Sequence, residues 1–133
     1  MMKTAAQLAP YFPDVEIIEL HHNHKYDAPS GTSVLTAKLI NDAKVKANVT
    51  ASEDLTRESL PGARGAKVDD VTIHSVRLPG YVAHQEVIFG GYDETLIIRH
   101  DSLSRLSFMP GVVLACKKIK DYPGLTYGLE HYL

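Results

Sequence analysis

Between Glu19 and Thr32 the chain reads E-L-H-H-N-H-K-Y-D-A-P-S-G-T, which gathers His21, His22, His24 and Lys25 within five positions. Imidazoles titrate near neutrality and an ammonium carries a full charge, so together they can bind an anion and deliver a proton. Pro29-Ser30-Gly31-Thr32 follows directly and reads as the mouth of a helix. A helix start presents unpaired N–H groups and the positive end of the dipole, and so attracts anions. Ser30 or Thr32 can cap the helix. Gly31 lets a ligand come close, with the N–H groups of Gly31 and Thr32 facing its carboxylate. The pattern predicts a compact carboxylate or phosphate site with proton donors beside it, one half of an active site.

Other chemistry competes for the same residues. His21, His22, His24 and Asp27 are all competent metal ligands. Their spacing matches no zinc pattern, and neighbouring residues of a strand point to opposite sides, so His21 and His22 do not share one ion. No metal is expected. The histidines could also be surface groups without a role, Asp27 a holder for Lys25, and the Ser30 and Thr32 hydroxyls caps and nothing more. Arg77, at a strand end before Leu78-Pro79-Gly80, reads equally as a solvated side chain or as a substrate or interface contact. His84, His100 and Arg105 read as satisfying neighbours.

Pattern and punctuation outline the helices and strands around these groups. Met1 to Ala9 reads as helix interior with no capping residue ahead of it, as if continued from a longer chain. Val15–Leu20 reads as a β-branched strand ending at the histidines. A helix runs from Ser30 or Thr32 to about Ala47, with Leu35, Leu39, Ile40 and Ala43 on one face. Asn48 to Asp70 is polar and punctuated by Pro61, Gly62 and Gly65, which predicts a long exposed loop with a helical turn near Glu53–Ser59. Val71–Arg77, Gln85–Phe89 and Thr95–Ser102 read as strands, the last two joined by a turn at Gly90–Asp93. Pro110 opens a final helix to about Lys120. Leu96 and Ile98 oppose Ile97, and Val87 and Phe89 oppose Ile88, so both sheet faces are partly apolar. This predicts an α+β domain over residues 1–133: a mixed four-stranded sheet with helices on one face and a partner copy on the other.

Composition narrows the function classes. The chain has 133 residues, 44% apolar and 23% charged, with 14 basic and 16 acidic side chains. A net charge of −2 without a basic run argues against a nucleic-acid partner. No apolar run has the length of a membrane span, and the start lacks a signal-peptide pattern. A single cysteine, Cys116, forms no disulfide within the chain, in keeping with a cytoplasmic setting. No Gly-x-Gly-x-x-Gly follows a strand and no P-loop is present, so the chain is not expected to hold a nicotinamide cofactor by itself.

The Glu19–Thr32 segment closely resembles the signature of the dihydrodipicolinate reductase family, also called 4-hydroxy-tetrahydrodipicolinate reductase. R-L-P-G-Y-V-A-H-Q-E-V-I-F-G-G from Arg77, I-R-H-D-S-L-S-R from Ile98 and the helix after Met109-Pro110-Gly111 are similar to later blocks of that family. The resemblance spans nearly the whole chain but only the family's carboxy-terminal, substrate-binding and tetramer-forming domain. It implies a missing amino-terminal Rossmann domain that binds NADH or NADPH, and a homotetramer. It also implies a cyclic dicarboxylate substrate of lysine and diaminopimelate biosynthesis. By that resemblance His21 and Lys25 are the proton donors, and His22, Lys25, Ser30, Gly31 and Thr32 contact substrate. The isolated half is expected to lack reductase activity. A stand-alone dicarboxylate-binding module and a purely structural assembly domain are the alternatives.

Overall fold

Alternating apolar residues make strand β1, Asp14–His21, the middle of a five-stranded sheet ordered β2-β3-β1-β4-β5. The structure, a computed structural model, describes all residues 1–133. The flanking strands are β2 (Ala66–Val68), β3 (Val71–Arg77), β4 (Ala83–Gly91) and β5 (Glu94–Ser102). Two compact units divide the chain, Met1–Asp101 and Ser102–Leu133.

β1 runs parallel to β3, with Ile17 opposite Ile73 and His21 opposite Arg77, and antiparallel to β4, with Ile17 opposite Val87. Parallel neighbours cannot be joined by a tight turn, so the chain crosses over through helix α2, Gly31–Lys46. Val15 and Ile17, Val71 and Ile73, and Val87 and Phe89 share one sheet face by the period of two. They pack with Ala37 and Ile40 of α2 and with Ala5 and Ala9 from helix α1 (Met2–Leu8) and the 3-10 turn after it. The helices thus lie on one face, as the pattern predicted. Leu96 and Ile98 turn inward onto this core, while Ile97 is exposed.

The strand count corrects the expected four. Ala66–Val68, read from sequence as part of an exposed loop, pairs antiparallel with β3. Its three residues are too few for alternation to register. Glu53–Ser59 forms no helical turn. The loop is held by polar contacts instead: Asp14 accepts from the Ser52 N–H at 2.8 Å, and Arg64 pairs with Glu16 and Asp54.

Polar bonds fix α2 on the sheet at both ends. Near its start Ser33 Oγ donates to Gln85 Oε1 of β4, and Gln85 Nε2 donates to Thr36 Oγ1, each at 3.0 Å. Near its end the buried Lys44 ammonium donates to the Pro13 carbonyl at 2.5 Å. Buried polar groups that are all paired specify one orientation of helix on sheet.

In the second unit, helix α3 covers Met109–Lys118 with Pro110 in its first turn and buries no residue within the chain. Its α-helical part stops two residues short of the expected Lys120, and a 3-10 turn continues to Asp121. Tyr122 and Tyr132 pack edge to face, with ring centroids 4.8 Å apart.

Candidate active site

The site begins with a carboxylate that nothing in its surroundings would lead one to expect. Val15, Ile17 and Glu19 share the inward face of β1, and Glu19 is wholly buried. A buried carboxylate survives only with full hydrogen bonding and an opposite charge. Arg77, at the parallel end of β3, supplies both: Nη2 donates to Oε1 at 2.6 Å and Nη1 to Oε2 at 2.8 Å. The Ser30 N–H reaches Oε1 at 3.2 Å, and Nδ1 of His21 lies 2.5 Å from Oε2. Arg77 Nη2 also donates to the Asp27 carbonyl at 2.8 Å. The last residues of β1 and β3, the loop and the helix mouth therefore converge on Glu19. Arg77 is thus an internal clamp. Sequence reading missed Glu19, although a charge in register with Val15 and Ile17 was the available signal.

Burial pushes the Glu19 carboxyl up, but hydrogen bonds from Arg77, Ser75 and His21 outweigh it, and the group titrates below its ordinary 4.5. Glu16, held mainly by Arg64 and also by His74, is lowered as well. A carboxyl lowered by folding stabilises the fold above its ordinary range and loses that contribution as pH falls through its folded-state value. The urea unfolding midpoint is therefore expected to hold near pH 6 and to decline below about pH 4.5. A midpoint that stays level down to pH 3 would contradict this.

From His22 to Ser30 the chain folds into a loop in which the Lys25 N–H donates to the His22 carbonyl at 3.2 Å. The Lys25 ammonium lies 2.6 Å from Asp27 Oδ1. Lys25 most of all, with smaller help from the backbone N–H groups of Asp27 itself and then Gly31, holds the Asp27 carboxyl below the ordinary carboxylate range. Asp27 thus holds Lys25, as one sequence reading had it, and a carboxylate of the chain sits on the ammonium suggested for an external one. Gly31 and Thr32 are exposed at the first turn of α2, and a Cβ built on Gly31 meets no atom within 4 Å. Ser30 is buried and acts as the N-cap: its Oγ accepts from the Ser33 N–H at 3.2 Å and bonds Ser33 Oγ at 2.8 Å. His22 is half-buried and His24 exposed, with ring centroids 6.4 Å apart.

The remaining candidates lie elsewhere. His84 is buried, bonded through Nδ1 to Asp101 at 2.6 Å and packed edge-on against Tyr81, so it satisfies neighbours. His100 and Arg105 are exposed. No three His, Cys, Asp or Glu side chains converge as a metal-holding group. No helix is long and apolar enough to cross a membrane.

Comparison with known proteins identifies the family. Over residues 1–133 the chain matches the family described as dihydrodipicolinate reductase, C-terminus. The 4-hydroxy-tetrahydrodipicolinate reductase of Dictyoglomus turgidum is 57% identical over 133 residues, all of this chain and 50% of that protein. The same-named protein of Mycolicibacterium vanbaalenii is 58% identical over 132 residues, 99% of this chain and 53% of that protein. Among solved structures, dipicolinate-bound dihydrodipicolinate reductase from Paenisporosarcina sp. TG-14 superposes with a TM-score of 0.83 at 48% identity. That match covers 99% of this chain and 49% of that one. The chain spans about half the length of the curated relatives it matches. By the family match over its whole length and by these identities on a shared fold, the chain belongs to the dihydrodipicolinate reductase family and corresponds to its carboxy-terminal domain.

Proposed function

We propose that this chain is the substrate-binding, proton-donating and self-associating half of a cytoplasmic 4-hydroxy-tetrahydrodipicolinate reductase. The observation that carries the reading is the Asp27 carboxylate held 2.6 Å from the Lys25 ammonium, with the Gly31 N–H contributing more weakly, an internal stand-in for the carboxylate of a ligand. One carboxylate of a cyclic dicarboxylate replaces it there, with the Thr32 N–H adding a second backbone donor and Ser30 holding the helix mouth in shape. His22 contacts the bound ring. His21 and Lys25 then stand as the proton donors to the reduced product, and the fixed donors orient the ring for reaction.

The dinucleotide does not fit this half. A dinucleotide fold carries its glycine turn between a strand and the following crossover helix. Here that passage, between β1 and α2, is the His- and Lys-bearing segment from His22 to Ser30. NADPH or NADH would supply hydride from a Rossmann domain outside this chain. The sheet face opposite the helices carries half-buried Ile18 and Ile88 and exposed Ile97, which supports tetramer formation through that face.

Calorimetry with pyridine-2,6-dicarboxylate tests the reading. Binding is expected for the parent chain. Gly31→Ala should weaken it about tenfold, equivalent to about 1.4 kcal/mol, without lowering the melting temperature. Unchanged affinity in that variant would leave the helix mouth without its role. Adding a separately made Rossmann half should restore turnover, which neither a simple binding module nor an assembly domain would do.

A further inference from the structure

Among the carboxylates of this chain only Glu19 is buried, and the reaction as proposed gives it no task. Its two oxygens do different jobs. Oε1 takes Arg77 Nη2 and the Ser30 N–H, which are structural bonds. Oε2 takes Arg77 Nη1 and faces Nδ1 of His21 at 2.5 Å. A carboxylate already neutralised by a guanidinium is an acceptor only, so the His21 nitrogen facing it must carry a proton. The strand sets up this pairing, because residues two apart on β1 point the same way.

We propose that Glu19 is the positioning residue for His21: it holds the imidazole in the tautomer protonated on Nδ1 and leaves Nε2 as the nitrogen that exchanges a proton with the ligand. Through Arg77 and Ser30 the same carboxylate ties the ring to the helix mouth, so proton donor and carboxylate site share one anchor. The inference rests on His21 being a proton carrier of the proposed reaction. It adds the group that sets the ring's orientation and protonation.

Glu19→Gln discriminates this role from a merely structural one. Two donors, Arg77 Nη2 and the Ser30 N–H, meet the Oε1 position against one, Arg77 Nη1, at Oε2, so the amide oxygen of the glutamine takes the Oε1 place. The amide NH₂ is then left facing His21, and Nδ1 must become an acceptor. The ring is expected to switch to the tautomer protonated on Nε2.

Long-range proton–nitrogen NMR of ¹⁵N-histidine-labelled chain, recorded near pH 8.5 where an ordinary imidazole is neutral, reads the tautomer directly. His21 is assigned by its disappearance in His21→Asn. In the folded parent the Nδ1–H form is expected to predominate at least about tenfold, and in Glu19→Gln the ratio should invert. A folded parent with the proton on Nε2 overturns the proposal, even if Glu19→Gln fails to fold. So does a folded Glu19→Gln that keeps the parental tautomer. Calorimetry with pyridine-2,6-dicarboxylate keeps the two ideas apart. Binding with the wrong tautomer removes only the positioning role. No binding with Nδ1 protonated removes the substrate reading and leaves the Glu19–His21 arrangement standing.

Discussion

Glu19→Ala is expected to destabilise the first unit by about 3–5 kcal/mol, the usual cost of removing one partner from a buried ion pair. The loss has three physical parts. Arg77 keeps its guanidinium in a largely buried position with its principal counter-charge gone. The Ser30 N–H loses its acceptor, and His21 loses the group that fixes its ring. Native domains are stable by only about 5–15 kcal/mol, so this is a large fraction of the whole. Urea unfolding of the purified variant measures it. A cost under about 1 kcal/mol would mean that water reaches Arg77 and that the cluster is less enclosed than its burial indicates. Replacing both Glu19 and Arg77 with apolar residues should recover part of the loss, because it removes the orphaned charge along with its partner.

Lys25→Ala is expected to weaken pyridine-2,6-dicarboxylate binding about 10- to 150-fold while leaving stability nearly unchanged. The binding estimate follows from about 1.5–3 kcal/mol for a hydrogen bond to a charged group. The stability estimate follows from exposure: the Lys25–Asp27 pair lies at the surface, where solvent and salt screen ion pairs. Asp27→Asn is the control of opposite sign. It removes the carboxylate that competes with the ligand for Lys25 and the Gly31 N–H, so affinity should rise by about threefold. Calorimetry at two salt concentrations checks both variants. Equal affinity for parent and Lys25→Ala would remove the ammonium from the site.

The helix mouth illustrates what could be read in advance. Pro29-Ser30-Gly31-Thr32 announces a capped helix start by local chemistry alone, and Ser30 caps α2 as that chemistry requires. Strand β3 was predicted to its ends, Val71–Arg77, because β-branched residues and a Leu-Pro-Gly break bound it. Ala66–Val68 carries no strand signal of its own, because it owes its strand character to its neighbour β3. Arg77 had equal readings as solvated group or substrate contact. Its parallel register with His21 gave it another role, and register is a long-range property invisible along the chain.

Residue types and short spacings were enough to indicate a basic, proton-bearing loop beside an amide-lined helix start, and to identify the family through its signature. The first depends on local chemistry and on side-chain periods of two and 3.6 residues, the second on resemblance to the family's motif. The partners of the buried charge came from the tertiary fold: Glu19 beneath His21 and Ser30, with Arg77 closing on it from the next strand. The reason is desolvation. A carboxylate at an inward strand position can be tolerated only where the fold brings a guanidinium and several N–H donors to it, and no stretch of sequence contains them all.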